Sequence, residues 1–234
     1  MSKLIVALDY TDPKKAEDMV VSLGESVDFY KVGLELFLNS RGRVLDFLKK
    51  GNKNIFLDLK FHDIPNTVAQ AAKWAADLEV EMFNVHASGG REMQKMTVDA
   101  VSNEAAKNGV KPPLLIAVTV LTSFDEEGFD EVGFKKPINE TALQLARISQ
   151  ETGMDGVVCS ALESKSIKNA FGNDFLTVCP GVRPLWSASQ DQKRIVTPFQ
   201  AKENLADYIV VGRPITGNED PVKAALMILE ELNK

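Results

Sequence analysis

Asp58 and Lys60 are the residues whose types and spacing most clearly suggest chemistry. They belong to positions 56–67, where charged and polar residues are closely interspersed with apolar ones. Because successive side chains of a strand point to opposite faces, we expect Asp58 and Lys60 to share one face. Burying such a pair is costly unless its charges are compensated. The pair is therefore either a structural ion pair at a strand end or a carboxylate and an ammonium that act on a substrate.

Asp63 follows in the same run, two residues before Pro65 and the start of a helical pattern. Aspartate is a preferred N-cap residue, and proline is a preferred first residue of a helix. Asp63 could therefore cap this helix, or it could add a second carboxylate to the site of Lys60. The sequence alone leaves both interpretations open.

Other polar residues also follow short apolar runs, and a whole series of them is harder to dismiss than one. Glycine allows backbone N–H groups to approach an anion, and arginine is a forked donor, so Gly212 and Arg213 could bind a phosphate. A surface arginine near a turn is the alternative. Thr122 could equally be a helix cap, and we expect His86 to be structural. The series comprises Asp9, Lys31, Asp58 with Lys60, His86, Thr119 or Thr122, Ser160, Arg183 and Arg213.

The elements that must position these residues alternate along the chain. Eight apolar runs read as strands: Leu4–Leu8, Phe29–Gly33, Asn54–Leu59, Met82–Val85, Leu114–Val120, Gly156–Cys159, Leu176–Cys179 and Tyr208–Val211. Segments with helical periodicity lie between them, such as Pro13–Leu23, Val68–Leu78, Glu92–Lys107, Glu140–Glu151 and Pro221–Leu232. This alternation predicts an α/β protein with a parallel sheet, and eight units predict a closed (β/α)8 TIM barrel. An open doubly wound sheet is the alternative, but the first strand is not followed by its glycine-rich fingerprint. We expect residues 1–234 to form one catalytic domain.

Composition limits the classes of function. The 234 residues carry a formal net charge of −6, which argues against a nucleic-acid partner. The first apolar run is too short for a secretory leader, and no stretch is long enough to span a membrane. The two cysteines lie in apolar runs and suggest buried free thiols, and with two histidines they give no metal-site spacing. We expect a cytoplasmic protein.

The spacing Asp58-x-Lys60-x-x-Asp63-Ile64-x-x-Thr67 resembles the signature of the orotidine 5′-monophosphate decarboxylase family. Shorter motifs similar to those of the family lie before and after it, in the family's order, so the resemblance covers the chain from Asp9 to about Pro221. They are Ala7–Asp9, Lys31–Gly33, Asn84–Ala87, Val120–Ser123, Pro180–Pro184 with Gln192, and Val211–Thr216.

The resemblance implies a lyase that converts orotidine 5′-monophosphate (OMP) to UMP and CO2, in UMP biosynthesis, without a cofactor or metal. Lys60 would stabilise the carbanion at C6 of the pyrimidine and then protonate it. Asp58 and Asp63 would flank Lys60, and Lys31 would complete an alternating series of charges. Whether repulsion between a carboxylate and the substrate adds to the rate is left open.

The resemblance also implies which residues bind the nucleotide. Asp9 and Lys31 would bind the ribose, and Thr122 or Ser123 the pyrimidine edge. Arg183 and Gln192 would flank a lid loop, Pro184–Gln190, that closes on the phosphate. The full set is Asp9, Lys31, Asp58, Thr67, Thr122, Ser123, Pro180, Arg183, Gln192, Gly212 and Arg213.

A homodimer with shared active sites is expected, in which the opposite subunit contributes Asp63 and Thr67. Asp63 lies past the end of its strand, where it could reach across an interface more easily than back over its own barrel.

Two other functions compete with this one. A sugar-phosphate decarboxylase of the same superfamily would share Asp-x-Lys-x-x-Asp but use magnesium, with an acidic residue where this chain has Lys31. A barrel that only binds nucleotides is the third possibility, and the intact set of charged residues speaks against it.

Overall fold

The computed structural model describes residues 2–187 and 196–234. Within these residues, eight parallel strands follow one another in chain order around a closed barrel. They are β1 (Lys3–Ala7), β2 (Phe29–Gly33), β3 (Asn54–Phe61), β4 (Met82–His86), β5 (Leu114–Val118), β6 (Gly156–Val158), β7 (Leu176–Pro180) and β8 (Tyr208–Val211). The (β/α)8 barrel predicted from the alternation of elements is therefore confirmed.

Helices connect the strands, as parallel pairing requires. The α-helices are α1 (Pro13–Leu23), α2 (Leu34–Ser40), α3 (Arg43–Lys50), α4 (Pro65–Asp77), α5 (Gly90–Asn108), α6 (Glu126–Glu131), α7 (Ile138–Glu151), α8 (Ala161–Phe171), α9 (Pro198–Glu203), α10 (Arg213–Thr216) and α11 (Pro221–Asn233). Short 3-10 helices span Gly24–Ser26, Ala87–Gly89 and Leu185–Ser187.

The chain groups into two compact units, residues 1–58 with 179–234, and residues 59–178. In the first unit, β1 pairs with β2 and β8, and β2 pairs with β3. In the second, β4, β5, β6 and β7 pair in sequence. Most strand residues are buried, which explains why the strands appear in the sequence as continuous apolar runs.

Strand ends are where the sequence-based bounds need correction. The third strand continues to Phe61, beyond the expected Leu59, and the fifth stops at Val118, before the expected Val120. Thr119 is buried, and its hydroxyl donates a hydrogen bond to the Val158 carbonyl at 3.0 Å, so it is structural.

Ser160 is also structural, because it caps α8 in a reciprocal capping box with Glu163. Cys159 and Cys179 are free and buried, as their apolar runs predicted. Within the described residues, no helix is both long enough and apolar enough to cross a membrane.

Candidate active site

The charged cluster of the first unit centres on the ammonium group of Lys31. Its Nζ lies 2.9 Å from Asp9 Oδ1 and 3.4 Å from Asp58 Oδ2. The side chains of Lys31 and Asp58 are 12% and 10% exposed, whereas that of Asp9 is 62% exposed. The cluster therefore has a buried base and an open side at Asp9, where a ligand can reach it.

Strand register explains how one ammonium reaches both carboxylates. Ala7 pairs with Lys31 and Gly33 pairs with Asp58, and the Leu8 N–H continues the first ladder to the Lys31 carbonyl. Asp9 therefore falls beside Gly33, and the two aspartates flank a residue that has no side chain. A Cβ at Gly33 would lie 3.1 Å from Lys31 Nζ. The space that glycine leaves is the space into which the lysine extends.

The surroundings of Lys31 keep it charged. Burial on its own lowers the pKa of the ammonium, but the carboxylates of Asp58 and Asp9 outweigh burial and raise the pKa above its ordinary value. Lys31 is therefore a fixed positive charge at neutral pH, with two carboxylates held against it.

A second feature of the first unit is a polar pocket of about 290 Å³. Two arginines face it, Arg183 and Arg213, together with the half-exposed ring of Trp186. Two forked donors beside an open cavity suit a dianionic phosphate. Its lining comprises Arg183, Trp186, Ser187, Arg213, Pro214, Gly217 and Asn218.

Backbone pairing joins the chain on either side of the predicted lid. Val182 bridges to Val196, and the Arg183 N–H donates a hydrogen bond to the Val196 carbonyl at 2.9 Å. Pro180 ends β7 and is half-buried. The predicted binding residue Gln192 lies outside the described residues.

Asp9 connects the charged cluster with the last strand of the barrel. A Cβ at Gly212 would lie 3.5 Å from Asp9 Oδ2 and 3.6 Å from Ala7 Cβ, an ordinary contact distance. Gly212 directly precedes Arg213, which lines the arginine pocket. Within the first unit, the structure therefore brings Asp9, Lys31 and Asp58 together and places Gly212 beside Asp9.

In the second unit, Lys60 has an unexpected backbone conformation. Its φ is 52°, in the left-handed region. Its N–H donates a hydrogen bond of 2.8 Å to Oδ1 of Asn84, a fully buried residue of β4. The expectation that Asp58 and Lys60 share a face assumed extended backbone through Lys60, and that assumption is wrong. The direction of the lysine side chain depends on this local conformation instead.

Asp63 is not the N-cap of the helix that follows it. Ile64 occupies the N-cap position of α4, so the capping interpretation is wrong. Oδ1 of Asp63 accepts a hydrogen bond from the Ile64 N–H at 2.7 Å. Asp63, Ile64 and Thr67 are all exposed.

The segment after β5 holds Thr122 and Ser123, both exposed. Thr122 is not a cap, because Asp125 caps α6. Farther along the chain, the rings of Phe129 and Phe134 stack with their centroids 4.4 Å apart. His86 is half-buried, with its ring centroid 5.3 Å from that of His62.

Two residues that matter here were not predicted from the sequence, Gly33 and Asn84. Gly33 lies two positions after Lys31 and therefore on the same face of the strand. A glycine at that position was the sequence signal for free space beside the lysine side chain. Asn84 is a polar residue within the apolar run of β4, and such a residue needs a partner. Its partner is 24 positions away, which the sequence pattern does not show. Among the described residues, no group of three or more His, Cys, Asp or Glu side chains is arranged to hold a metal ion.

Comparison with known proteins gives a consistent result. Residues 2–228 match the model of a family described as orotidine 5′-phosphate decarboxylase / HUMPS. An orotidine 5′-phosphate decarboxylase from Nostoc sp. is 49% identical over 98% of this chain and 97% of its own length. One from Carboxydothermus hydrogenoformans is 48% identical over 98% and 95%. The crystal structure of orotidine 5′-phosphate decarboxylase from Lactobacillus acidophilus matches with a TM-score of 0.88 and 40% identity, covering 100% of both chains.

We expect Gly33→Ala to displace the Lys31 ammonium and thereby raise KM for the substrate about tenfold. The stability of the protein should change little, because the new methyl meets the flexible end of a side chain. Gly128→Ala is the matched control, since its Cβ would lie 3.3 Å from Asp125 Oδ1, another charged side chain. Steady-state kinetics and urea unfolding of both variants test this. Equal KM values in Gly33→Ala and the wild type would show that Gly33 does not set the position of Lys31.

Proposed function

The chain belongs to the orotidine 5′-phosphate decarboxylase / HUMPS family, and we propose that it is a carboxy-lyase that converts OMP to UMP and CO2 without a cofactor. The observation that carries this proposal is the Lys31 ammonium held between two carboxylates. The reaction would serve de novo pyrimidine biosynthesis in the cytoplasm, with residues 1–234 acting as one catalytic domain.

Lys60 would carry the chemical step. Breaking the bond between C6 and the carboxylate leaves an electron pair on C6, with no conventional electron sink beside it. An ammonium fixed near C6 stabilises that charge as it forms, because it needs no reorganisation when the reaction occurs. Lys60 then donates its proton to C6. Asp58 and Asp63 would keep Lys60 charged and oriented, and Lys31 would extend the alternating series of charges.

Lys31 also argues against the alternative function, a magnesium-dependent sugar-phosphate decarboxylase. A magnesium ion is bound through carboxylate oxygens. In this chain, the carboxylates of Asp9 and Asp58 already have a buried ammonium 2.9 and 3.4 Å away. A divalent cation placed beside them would meet the repulsion of Lys31. The charge of Lys31 therefore favours the cofactor-free reaction.

The remaining residues would bind the nucleotide. Asp9 and Lys31 suit the ribose hydroxyls, since they offer an acceptor and a donor at the open side of the cluster. Arg183 and Arg213 suit the phosphate, with Gly212 and Pro180 near by in sequence and Gln192 on the lid. Thr122 or Ser123 would contact the pyrimidine edge. Thr67, together with Asp63, would serve the active site of a partner subunit.

The first test is decarboxylation itself. The purified protein should consume OMP at the same rate with and without EDTA. Lys60→Ala should lower kcat by several powers of ten, because it removes both the charge and the proton donor. It should retain UMP binding in calorimetry. Lys95→Ala is the control, since this lysine is exposed and pairs with Asp99 on α5. If Lys60→Ala keeps a tenth of the normal kcat, the role of Lys60 is wrong, and a rate abolished by EDTA would favour the metal-dependent reaction.

Arg213→Ala should weaken catalysis by removing a contact with the phosphate, a part of the substrate that does not react. Binding energy at the phosphate can stabilise the transition state at the pyrimidine. Phosphite dianion, added with a phosphate-free nucleoside substrate, should accelerate the wild type and act much more weakly on the variant. Arg147→Ala, which removes an exposed arginine of α7, should respond like the wild type. Equal activation of wild type and Arg213→Ala would remove Arg213 from the phosphate site.

Mixing two inactive variants tests whether the protein is a homodimer with shared active sites. Lys60→Ala and Asp63→Ala should complement each other if Asp63 acts in the partner's site, because one site of the mixed dimer then carries both defects and the other carries none. Random exchange makes about half of the dimers mixed, so about a quarter of wild-type activity should return.

The matched control for this experiment is a mixture of Lys60→Ala with Asp58→Asn. These residues are two positions apart on β3, so each site of a mixed dimer keeps one defect and activity should stay low. Native mass spectrometry establishes that the subunits exchange. Complete exchange without recovery in the first mixture would show that Asp63 does not act in trans.

A further inference from the structure

The left-handed conformation of Lys60 differs from the other cases in the described residues. Non-glycine residues with positive φ are Arg41, Asn52, Lys60, Glu79 and Leu205. The other four lie one or two positions past the end of a helix, where a left-handed residue is a common way to stop helical hydrogen bonding. Lys60 lies inside β3. Helix termination therefore does not explain it.

Asn84 supplies the local reason. A backbone N–H in a regular strand donates to a backbone carbonyl of its neighbour. The Lys60 N–H donates instead to the side-chain oxygen of Asn84, at 2.8 Å. Asn84 is fully buried between Phe83 and Val85 in β4, so its amide has a fixed position and cannot exchange this contact for water. The hydrogen bond therefore fixes the plane of the peptide that precedes Lys60, and the left-handed φ of Lys60 sets the direction of its Cα–Cβ bond relative to that plane.

We propose that Asn84 is a positioning residue for decarboxylation, which fixes the peptide plane that precedes the left-handed Lys60 and thereby sets the direction of its ammonium group. The proposal rests on the catalytic role proposed for Lys60. A change of φ from the extended to the left-handed region redirects the bond from Cα to Cβ, so the lysine side chain follows the backbone. Asn84 then acts on the reaction through Lys60 and not through the substrate.

Asn84→Ala should lower kcat by about ten- to a hundredfold, because a small displacement of a reacting group costs rate in this range. The Kd for UMP, measured by calorimetry, should stay within about threefold, because the proposed phosphate and ribose contacts are made by other residues. Asn84→Asp keeps an oxygen at the same position and should recover most of the lost kcat. A loss of kcat with unchanged UMP affinity, rescued by Asp, is a pattern that simple destabilisation does not produce.

Thr177→Val is the matched control. Thr177 is also fully buried in a strand, and its hydroxyl lies 2.8 Å from that of Ser164. We expect Thr177→Val to be destabilised in urea by an amount similar to Asn84→Ala but to keep normal kcat. Equal kcat in Asn84→Ala and Thr177→Val, or an Asn84→Asp variant no better than Asn84→Ala, would overturn the proposal.

Amide hydrogen exchange of the unmodified protein gives a test that does not depend on how the variants fold. The Lys60 amide should exchange at least about a hundredfold more slowly than an unstructured amide, because it is hydrogen-bonded to a buried acceptor. Unprotected exchange would overturn the proposal. Retained activity in Lys60→Ala would instead refute the proposed function. Loss of activity in Lys60→Ala alone, with Asn84→Ala fully active, would refute only the role of Asn84.

Discussion

The contact of the Lys31 ammonium with Asp9 and Asp58 is the interaction on which the charged cluster depends. Removing the lysine would take one cation away from the buried carboxylate of Asp58, and breaking a buried pair costs roughly 3–5 kcal/mol where it has been measured. The intact pair adds little to stability, since desolvation offsets most of its attraction. Such a cluster is therefore poorly explained as a stabilising device, and it suits a role in binding or catalysis better.

Within the first unit, Asp9 lies close to both Lys31 and Gly212. One of its oxygens lies 2.9 Å from Lys31 Nζ, and the other would be 3.5 Å from a Cβ at Gly212. Gly212 is the N-cap of α10, whose first residue, Arg213, lines the arginine pocket. The ribose of a nucleotide lies between its base and its phosphate, so under the proposed function the exposed carboxylate of Asp9 would contact the ribose.

The sequence predicted the barrel well because parallel strands buried on both faces appear as continuous apolar runs. It also predicted that Asp9, Lys31 and Asp58 lie at or near the carboxyl ends of such runs. The contribution of Gly33 was missed, because a glycine two positions after Lys31 becomes informative only with the register that sets Asp9 and Asp58 on either side of it. The conformation of Lys60 was missed for a similar reason, since alternation along one strand carries no information about an acceptor on the next.

Two of the five residues from Lys60 to Ile64 go against local preference, one in its backbone conformation and the other in its position as a helix N-cap. Lys60 adopts a conformation that costs an L-residue roughly 1–2 kcal/mol. Ile64 occupies the N-cap position although Asp63, a much better N-cap residue, precedes it directly, and a poor N-cap costs about 1 kcal/mol. A segment selected for stability alone would satisfy both preferences. Natural sequences tend to break local rules where function requires it. This pattern agrees with the role proposed for Lys60 and Asp63, in which their placement matters more than the stability that a regular strand and a capped helix would provide.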